Sequence, residues 1–138
     1  MGTVRYLLDT NILSALGREP QGRVYDALLA RLPDTACTSI VVASEIRFGL
    51  QRGVSARVRV QMSAILSALD ILPFDVPADA HYGEIRAHLE KIGQPIGAND
   101  LLIAAHARAL GMVMVTHNIS EFSRVPGLVV EDWLAGPA

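Results

Sequence analysis

The sequence predicts an α/β domain built around a mostly parallel β-sheet. Short apolar runs suited to strands alternate along the chain with longer segments of helical periodicity. Turn residues are spread evenly, and no repeat, low-complexity tract or linker divides the chain, so residues 1–138 are expected to form a single domain. Because strands that alternate with helices are usually parallel, helices are expected to cover both faces of the sheet.

The first half of the chain predicts two strands and four helices. Gly17 and Pro20 end the first helix, and the second helix stops before Pro33. Ser39 is placed to cap the third helix, and Gly53 is placed to end it. The strands lie in VRYLLD and TACTS, and the helices in TNILSALG, GRVYDALLARL, SIVVASEIRFGLQRG and ARVRVQMSAILSALD.

The second half of the chain alternates in the same way. Pro77 stands in the first turn of a helix that Gly93 closes, and the loop QPIGA follows that helix. The next helix is apolar on most faces and is therefore predicted to be buried. The strands lie in ILPFDV, MVMVT and GLVVEDW, and the helices in PADAHYGEIRAHLEKIG, NDLLIAAHARALG and the short NISEF.

Composition argues against several classes of protein. The net charge of −2 does not suit the broad basic face of a typical nucleic-acid-binding protein. No apolar run reaches the ~18 residues that a membrane span needs, and Asp9 interrupts the one candidate for a secretory signal. Cys37 is the single cysteine and is expected to be a small buried apolar residue. A chain without internal disulfides suits a reducing compartment, so we expect a cytoplasmic protein.

Three acidic residues do not fit a solvated surface. Asp9 ends the first strand, Glu45 lies inside the third helix among small and apolar residues, and Asp100 opens the apolar helix. Taken singly, Asp9 and Asp100 are explained as helix caps and Glu45 as a solvent-facing residue. Three carboxylates that converge at the carboxyl edge of the sheet, however, would repel one another unless a cation neutralised them. Oxygen ligands without His or Cys suit Mg²⁺ or Mn²⁺.

Four segments carry a more specific signal: LLDTNIL, ASEIRFGL, ANDLLIAAHA and VTHNISEFSRVPGLVVEDW. Together they resemble the PIN-domain family, and most of all the VapC-type ribonuclease toxins of bacterial type II toxin–antitoxin pairs. The resemblance implies a three-layer α/β/α fold and a Mg²⁺-dependent endoribonuclease that cleaves structured RNA, often tRNA, by attack of a metal-activated water on a phosphodiester. It also implies that Asp9, Glu45 and Asp100 bind the metal and are catalytic.

The same resemblance assigns roles to residues beside these acids. Asn11 is expected to hold a carboxylate or a metal-bound water by hydrogen bonding, and Thr116 matches the hydroxyl of the fourth segment. Many PIN domains have a further acid where this chain has Asn118. Because Asn118 adds no negative charge, one tightly held metal is favoured over two. Glu121 is the nearest replacement and is expected to join the catalytic acids, ranked below the three main ones.

The resemblance implies two protein partners, namely a second copy of the chain and a cognate antitoxin that covers the acidic groove. The apolar fraction of 51% agrees with such partner surfaces. The antitoxin contact is expected on IVVASEIRFGL and the helix after it. Because RNA phosphates need cations, Arg47 and Arg52 are the nearest candidates, followed by Arg57 and Arg59; each is equally well explained as a solvated helix charge.

Two other functions stay open from the sequence. A haloacid-dehalogenase-like phosphatase also has an Asp after a buried strand, but it needs a second Asp where this chain has Asn11, and Lys91 is the single lysine. A catalytically inactive PIN-like module that binds RNA or protein is the other alternative, and Asn118 favours it. Metal binding that depends on Asp9 and Asp100 distinguishes an active site from such a module.

Overall fold

The computed structural model describes residues 4–135 and contains one five-stranded sheet within that range. The strands are β1 Arg5–Leu8, β2 Thr35–Ser39, β3 Asp70–Leu72, β4 Val113–Val115 and β5 Val130–Glu131. Their order across the sheet is β3-β2-β1-β4-β5, and each pairing is parallel. The strand β1 therefore lies at the centre, between β2 and β4.

Helices connect and cover these strands on both faces. In the described part of the chain they are α1 Thr10–Arg18, α2 Arg23–Ala30, α3 Ile40–Gln51, α4 Ala56–Ala68, α5 Ala78–Lys91, α6 Ala98–Ala109 and α7 Ile119–Phe122. The connections from β1 to β2 and from β2 to β3 step one way across the sheet, whereas the connection from β3 to β4 steps back past β1. Because such crossovers are right-handed, this reversal places α5 and α6 on the opposite face from α1 to α4. The predicted three-layer α/β/α fold is confirmed.

The core of the protein is centred on β1. Leu7 and Leu8 are fully buried because strands flank β1 on both sides and helices cover both faces. Cys37, on β2, is buried as expected. Half of the twelve residues of α6 are also buried, in agreement with its apolar sequence; they are Leu101, Ile103, Ala104, Ala105, His106 and Ala107.

Local signals in the sequence set the ends of several elements. Ser39 Oγ accepts a hydrogen bond of 3.0 Å from the N–H of Val41 and so caps α3, as predicted. Gly53 and Gly93, which follow α3 and α5, have φ angles of +107° and +71°. That left-handed region favours glycine over residues with a Cβ, so both positions end their helices.

Two strands differ from their predictions. The strand predicted in GLVVEDW is reduced to Val130–Glu131. The sequence indicated a strand in ILPFDV, whereas β3 is Asp70–Leu72. It ends there because Pro73 has no N–H to donate to the neighbouring strand. Among residues 4–135, every helix is too short or too polar to cross a bilayer.

Candidate active site

Four acidic side chains lie at the carboxyl edge of the sheet, around the end of β1. Asp9 directly follows β1, Glu45 is on α3 after β2, and Glu121 is on α7 after β4. Asp100 reaches the same region from the first turn of α6. Because β2 and β4 flank β1 and run parallel to it, the segments that follow these strands meet at one edge. The structure thus brings together the acids to which the sequence pointed.

Asp9 is both a helix cap and the centre of this acidic cluster. It is 4% exposed; Oδ1 accepts a hydrogen bond of 2.8 Å from the N–H of Thr10, and Oδ2 accepts one of 2.7 Å from the hydroxyl of Thr116. Burial raises the pKa of Asp9, and the negative charge of Glu45 adds to the rise, while the two hydrogen bonds oppose it. The role of Asp9 as the cap of α1 is therefore compatible with its expected role as a metal ligand.

Glu45 is held in the cluster by two polar side chains. Thr10 Oγ1 donates a hydrogen bond of 2.9 Å to Glu45 Oε1, and Asn99 Nδ2 lies 3.4 Å from Oε2. Thr10 therefore donates hydrogen bonds to two carboxylates, from its N–H to Asp9 and from its hydroxyl to Glu45. Glu45 is half-buried, so its carboxylate faces solvent in part while it binds Thr10.

Asp100 and Glu121 form a pair of carboxyl groups. The pKa of Asp100 is raised to about 7, first by burial, then by a hydrogen bond with Glu121 and by the negative charges of the other acids. A hydrogen bond between two carboxyl groups requires one of them to hold a proton. Glu121 Oε2 is buried and finds no hydrogen-bond partner among the described residues. Asp100 does not cap α6, because Gly97 occupies the cap position.

The segment after β4, residues 116–118, contacts two of the acids through polar side chains. Thr116 binds Asp9 through its hydroxyl hydrogen, and its hydroxyl oxygen accepts a bond of 3.0 Å from the N–H of Asn118. Asn118 Nδ2 lies 3.4 Å from Asp100 Oδ2. The amide at the position of a fourth acid therefore contacts an existing carboxylate and adds no negative charge.

Asn11 has a different contact from the predicted one. Its Oδ1 accepts a hydrogen bond of 3.2 Å from the backbone N–H of His117, so it fixes the segment after β4 and does not hold a carboxylate. The side chain of His117 is 62% exposed, and its Nδ1 lies 2.9 Å from a carboxylate oxygen of Asp132. Thr116 and Asn118 face the acids, as alternation along an extended segment predicts. His117 is therefore outside the acidic cluster.

The acidic cluster has the chemistry of a divalent-cation site but not a closed set of ligands. Among residues 4–135, no three His, Cys, Asp or Glu side chains are arranged as a finished metal site. The ion pairs within that range do not involve any of the four acids. A divalent cation would offset the negative charges that add to the effect of burial on the pKa of Asp100, and carboxylate oxygens are the ligands that Mg²⁺ prefers. The oxygen donor set fits such a cation, because a carboxylate that accepts a hydrogen bond from Thr10 or Thr116 keeps lone pairs for a metal.

The basic residues predicted to contact RNA lie in different places. Arg52 lines a groove that begins at Glu45, and its guanidinium carbon is 5.3 Å from the centre of the Phe48 ring. Arg47 is exposed and does not line this groove. Arg59 donates a hydrogen bond of 2.8 Å to a carbonyl near the end of α3. Arg52 is therefore the cation best placed beside the acids.

Reasoning from the sequence missed two residues of this region. Asn99 contacts Glu45, and its signal was an amide in the first turn of a helix, next to Asp100. Phe48 lies on the same face of α3 as Glu45, three residues later. The spacing was visible in the sequence, but the exposure of the ring was not, because an apolar side chain on a helix is normally expected in the core.

Comparison with known proteins supports the resemblance to the PIN-domain family that the sequence motifs indicate. The family model described as "PIN domain" matches residues 6–128. The chain is 37% identical over 130 residues to "Ribonuclease VapC2" of Rickettsia felis, covering 93% of this chain and 97% of that protein. It is 34% identical over 131 residues to "tRNA(fMet)-specific endonuclease VapC" of Shigella flexneri, covering 94% of this chain and 98% of that protein.

Solved structures agree in fold over nearly the full length. VapBC2 from Rickettsia felis, bound to a DNA fragment from the promoter, has a chain that superposes with a TM-score of 0.87 at 36% identity, covering 94% of this chain and 99% of that one. DNA-bound VapBC from Salmonella typhimurium gives a TM-score of 0.82 at 30% identity, covering 95% and 99%. The chain therefore belongs to the PIN domain family and, within it, to the VapC ribonucleases.

Proposed function

We propose that this chain is the toxin of a toxin–antitoxin pair and hydrolyses phosphodiester bonds in structured RNA, with tRNA as its substrate class and Mg²⁺ as its metal. The observation that carries the proposal is the hydrogen-bonded array of acids, in which Thr10 links Glu45 to Asp9 and Thr116 links Asp9 to the segment that contacts Asp100. Four carboxyl groups without an ion-pair partner in residues 4–135 favour a cation site over a structural one. The name of the Shigella flexneri relative supports tRNA as the substrate class.

In this proposal Asp9, Glu45 and Asp100 hold the metal. A bound divalent cation supplies charge neutralisation for the phosphodiester and for the departing oxygen. Thr116 keeps the Asp9 carboxylate oriented and favours its charged form, and Thr10 fixes Glu45 relative to it. In the proposed reaction water attacks phosphorus in line, the bond from phosphorus to the departing oxygen breaks, and no covalent enzyme intermediate forms.

Glu121 is proposed as the fourth acid of the site. It contributes a carboxyl group from α7 where many PIN domains have an acid at the position of Asn118. Burial and the contact with Glu121 raise the pKa of Asp100, and a divalent cation bound there would favour the charged form of this carboxyl group. Substitution of Glu121 is thus expected to weaken metal binding less than substitution of Asp9.

The antitoxin is proposed to bind between α3 and α4. A groove of about 370 Å³ there has an apolar lining that includes Ile46, Leu50 and Val58, and it runs to Glu45 at one end. A peptide helix that places apolar side chains in this groove brings its flanking residues to the acids, where a cationic side chain is favoured. Homodimer formation stays a prediction, supported by exposed apolar side chains such as Val60.

The proposed function is tested with purified chain freed of antitoxin. It is incubated with total tRNA and Mg²⁺, beside an EDTA control and the double variant Asp9→Asn, Asp100→Asn. Discrete fragments that vanish in both controls support the proposal, and mapping of the fragment ends identifies the cleaved position. Intact RNA across a panel of RNAs, from folded wild-type protein, would favour the inactive binding module.

The phosphatase alternative is wrong, because the chain belongs to the PIN domain family. Lys91, which such an enzyme would need at its acids, is exposed at the last residue of α5.

A further inference from the structure

We propose that Phe48 and Arg52 form a platform for one nucleotide of the RNA beside the cleaved phosphate, with the base stacked on the Phe48 ring and the phosphate near Arg52. We name this pair the Phe48 platform. The inference deepens the proposed function and rests on it for the identity of the ligand. The occupant is a nucleotide in a single-stranded part of the substrate, since its base must be unpaired and unstacked from adjacent bases to reach the ring.

The exposure of Phe48 is the first observation. It is 63% exposed, more than any other aromatic residue in the described part of the chain. The Arg52 guanidinium covers one face of the ring at 5.3 Å, so the aromatic surface is oriented by the chain and is not buried by it. An exposed aromatic ring with an Arg on it, beside a nuclease site, matches the way single-stranded nucleic acids are bound, by stacking and by cation contacts.

The position of the platform on α3 is the second observation. Glu45, Phe48 and Arg52 are spaced i, i+3 and i+7 and so share one face of the helix. At the rise of an α-helix, Phe48 is about 4.5 Å and Arg52 about 10.5 Å along the axis from Glu45. They line one groove of about 650 Å³ together with Thr10, Val41, Ser44, Gly49 and Asn99. The groove therefore connects Glu45, one of the four acids, to the platform.

Gly49, next to Phe48, is the third observation. A Cβ added at this residue would meet nothing within 4 Å, and its φ angle is not positive. A glycine inside a helix is unfavourable compared with alanine, so neither the packing nor the backbone of this chain explains it. Its effect is to leave open space in the groove beside the ring, which is the space that a stacked base needs.

The lining of the groove distinguishes RNA from a peptide as the occupant. The two grooves share Thr10, Glu45, Gly49 and Arg52 and differ in the rest of their lining. The antitoxin groove adds the aliphatic side chains of Ile46, Leu50, Val54, Val58 and Met62, which suit a peptide helix. The groove of the Phe48 platform instead adds Ser44 and Asn99 around a single aromatic ring, with Val41 as its aliphatic side chain. Polar groups with one stacking surface suit a nucleotide better than an apolar peptide face.

The platform is tested by comparing Phe48→Ala and Phe48→Trp with wild type. Loss of one base–aromatic stack is expected to raise the KM for tRNA about 5- to 150-fold in Phe48→Ala, with a smaller change in kcat. Phe48→Trp keeps a stacking surface and is expected to restore KM. Tyr25→Ala, which removes a 37% exposed aromatic ring from α2 outside the groove, is the matched control and is expected to behave as wild type.

A second measurement does not depend on cleavage. In an Asp9→Asn background, Phe48→Trp fluorescence is expected to be quenched by a single-stranded oligoribonucleotide, whereas the protein with Phe48 reports only Trp133, which is 5% exposed. Absence of quenching together with an unchanged KM for Phe48→Ala would overturn the platform even if wild type cleaves tRNA. Quenching in a protein that cleaves no RNA would instead support the platform and contradict the proposed function. If Phe48→Ala alters self-association on size exclusion but not RNA affinity, Phe48 belongs to a protein interface and the inference is wrong.

Discussion

Thr116 donates a hydrogen bond of 2.7 Å to Asp9, a residue 107 positions earlier in the chain. The bond joins the segment after β4 to the end of β1, and it favours the charged form of a carboxyl group whose pKa burial raises. It therefore affects both the geometry and the charge of the proposed metal site.

Replacement of Thr116 by Val is expected to weaken metal binding about 10- to 100-fold, as is usual when a hydrogen-bond partner of a ligand is removed. The pKa of Asp9 rises further when this bond is lost, so more Mg²⁺ is needed for half-maximal cleavage at neutral pH. The measurement is the Mg²⁺ dependence of tRNA cleavage. Thr116→Ser, which keeps the hydroxyl, is the control, and an unchanged Mg²⁺ requirement in Thr116→Val would contradict the role given to this bond.

Replacement of Asp100 by Asn is expected to stabilise the metal-free protein, because it removes one of several mutually repelling acids. The melting temperature without metal should rise by roughly 2–5 °C. Wild type should gain stability when Mg²⁺ is added, and Asp100→Asn should gain much less, because a ligand stabilises the state that binds it. Thermal melts with EDTA and with Mg²⁺ measure both effects. Asp79→Asn, an exposed acid in the first turn of α5, is the control and should keep the wild-type response to Mg²⁺.

Acid pH is expected to destabilise the protein through His106. This residue is 1% exposed, its Nδ1 lies 2.8 Å from Ser39 Oγ, and burial lowers its pKa. Below the ordinary His pKa of about 6.5, His106 becomes protonated in the unfolded chain while it stays neutral in the folded protein. The contribution of neutral His106 to the free energy of unfolding is therefore fully present above about pH 6.5 and is lost as the pH falls. The slope attributable to His106 is at most about 1.4 kcal/mol per pH unit, the value for one proton.

Urea unfolding at pH 7.5 and pH 5.5 measures this dependence. His106→Gln removes the titrating group and is expected to reduce the difference between the two pH values, although it also lowers stability at both. An equal pH dependence in wild type and variant would show that other groups cause the effect.

Replacement of Ser39 by Ala is expected to lower the free energy of unfolding by about 2–4 kcal/mol. The variant loses the cap of α3, worth about 1 kcal/mol, and leaves the buried His106 Nδ1 without its partner, which costs about 1–3 kcal/mol. Ser55→Ala is the matched control, because Ser55 caps α4 at an exposed position. It should cost about 1 kcal/mol or less in denaturant unfolding. Equal losses in the two variants would show that the contact with His106 adds nothing.

The sequence predicted most of the elements, because they depend on local patterns, whereas the three main acids were grouped by the resemblance to the PIN-domain family. Strands and helices follow from hydrophobic period and from caps such as Ser39, and the rule that parallel strands end at one edge placed Asp9 in the site. The predicted end of β3 was too late, because apolar residues continue past Pro73. Pro73 itself has no N–H, so the hydrogen bonds between strands stop before it.

Contacts between distant segments were not predictable in the same way. The family resemblance matched Thr116 to the hydroxyl of the fourth segment, and this hydroxyl binds Asp9. Asn11 was expected to hold a carboxylate or a metal-bound water, and its Oδ1 accepts a hydrogen bond from the backbone of His117. Which polar partner a short side chain finds depends on the tertiary approach of segments more than a hundred residues apart. The exposure of Phe48 could not be predicted from the sequence either, since only the packed structure shows which face of α3 other elements leave uncovered.

The central place of β1 in the sheet has a consequence for protein synthesis. Asp9 leaves the ribosome early, but the strand and the segment that complete its surroundings, β4 and Thr116, are made 107 residues later. At about 5–20 residues per second, that delay is roughly 5 to 21 s. A nascent chain therefore carries its first acid for most of its translation without a finished site, and a chain truncated before Thr116 is expected to be harmless to the cell that makes it.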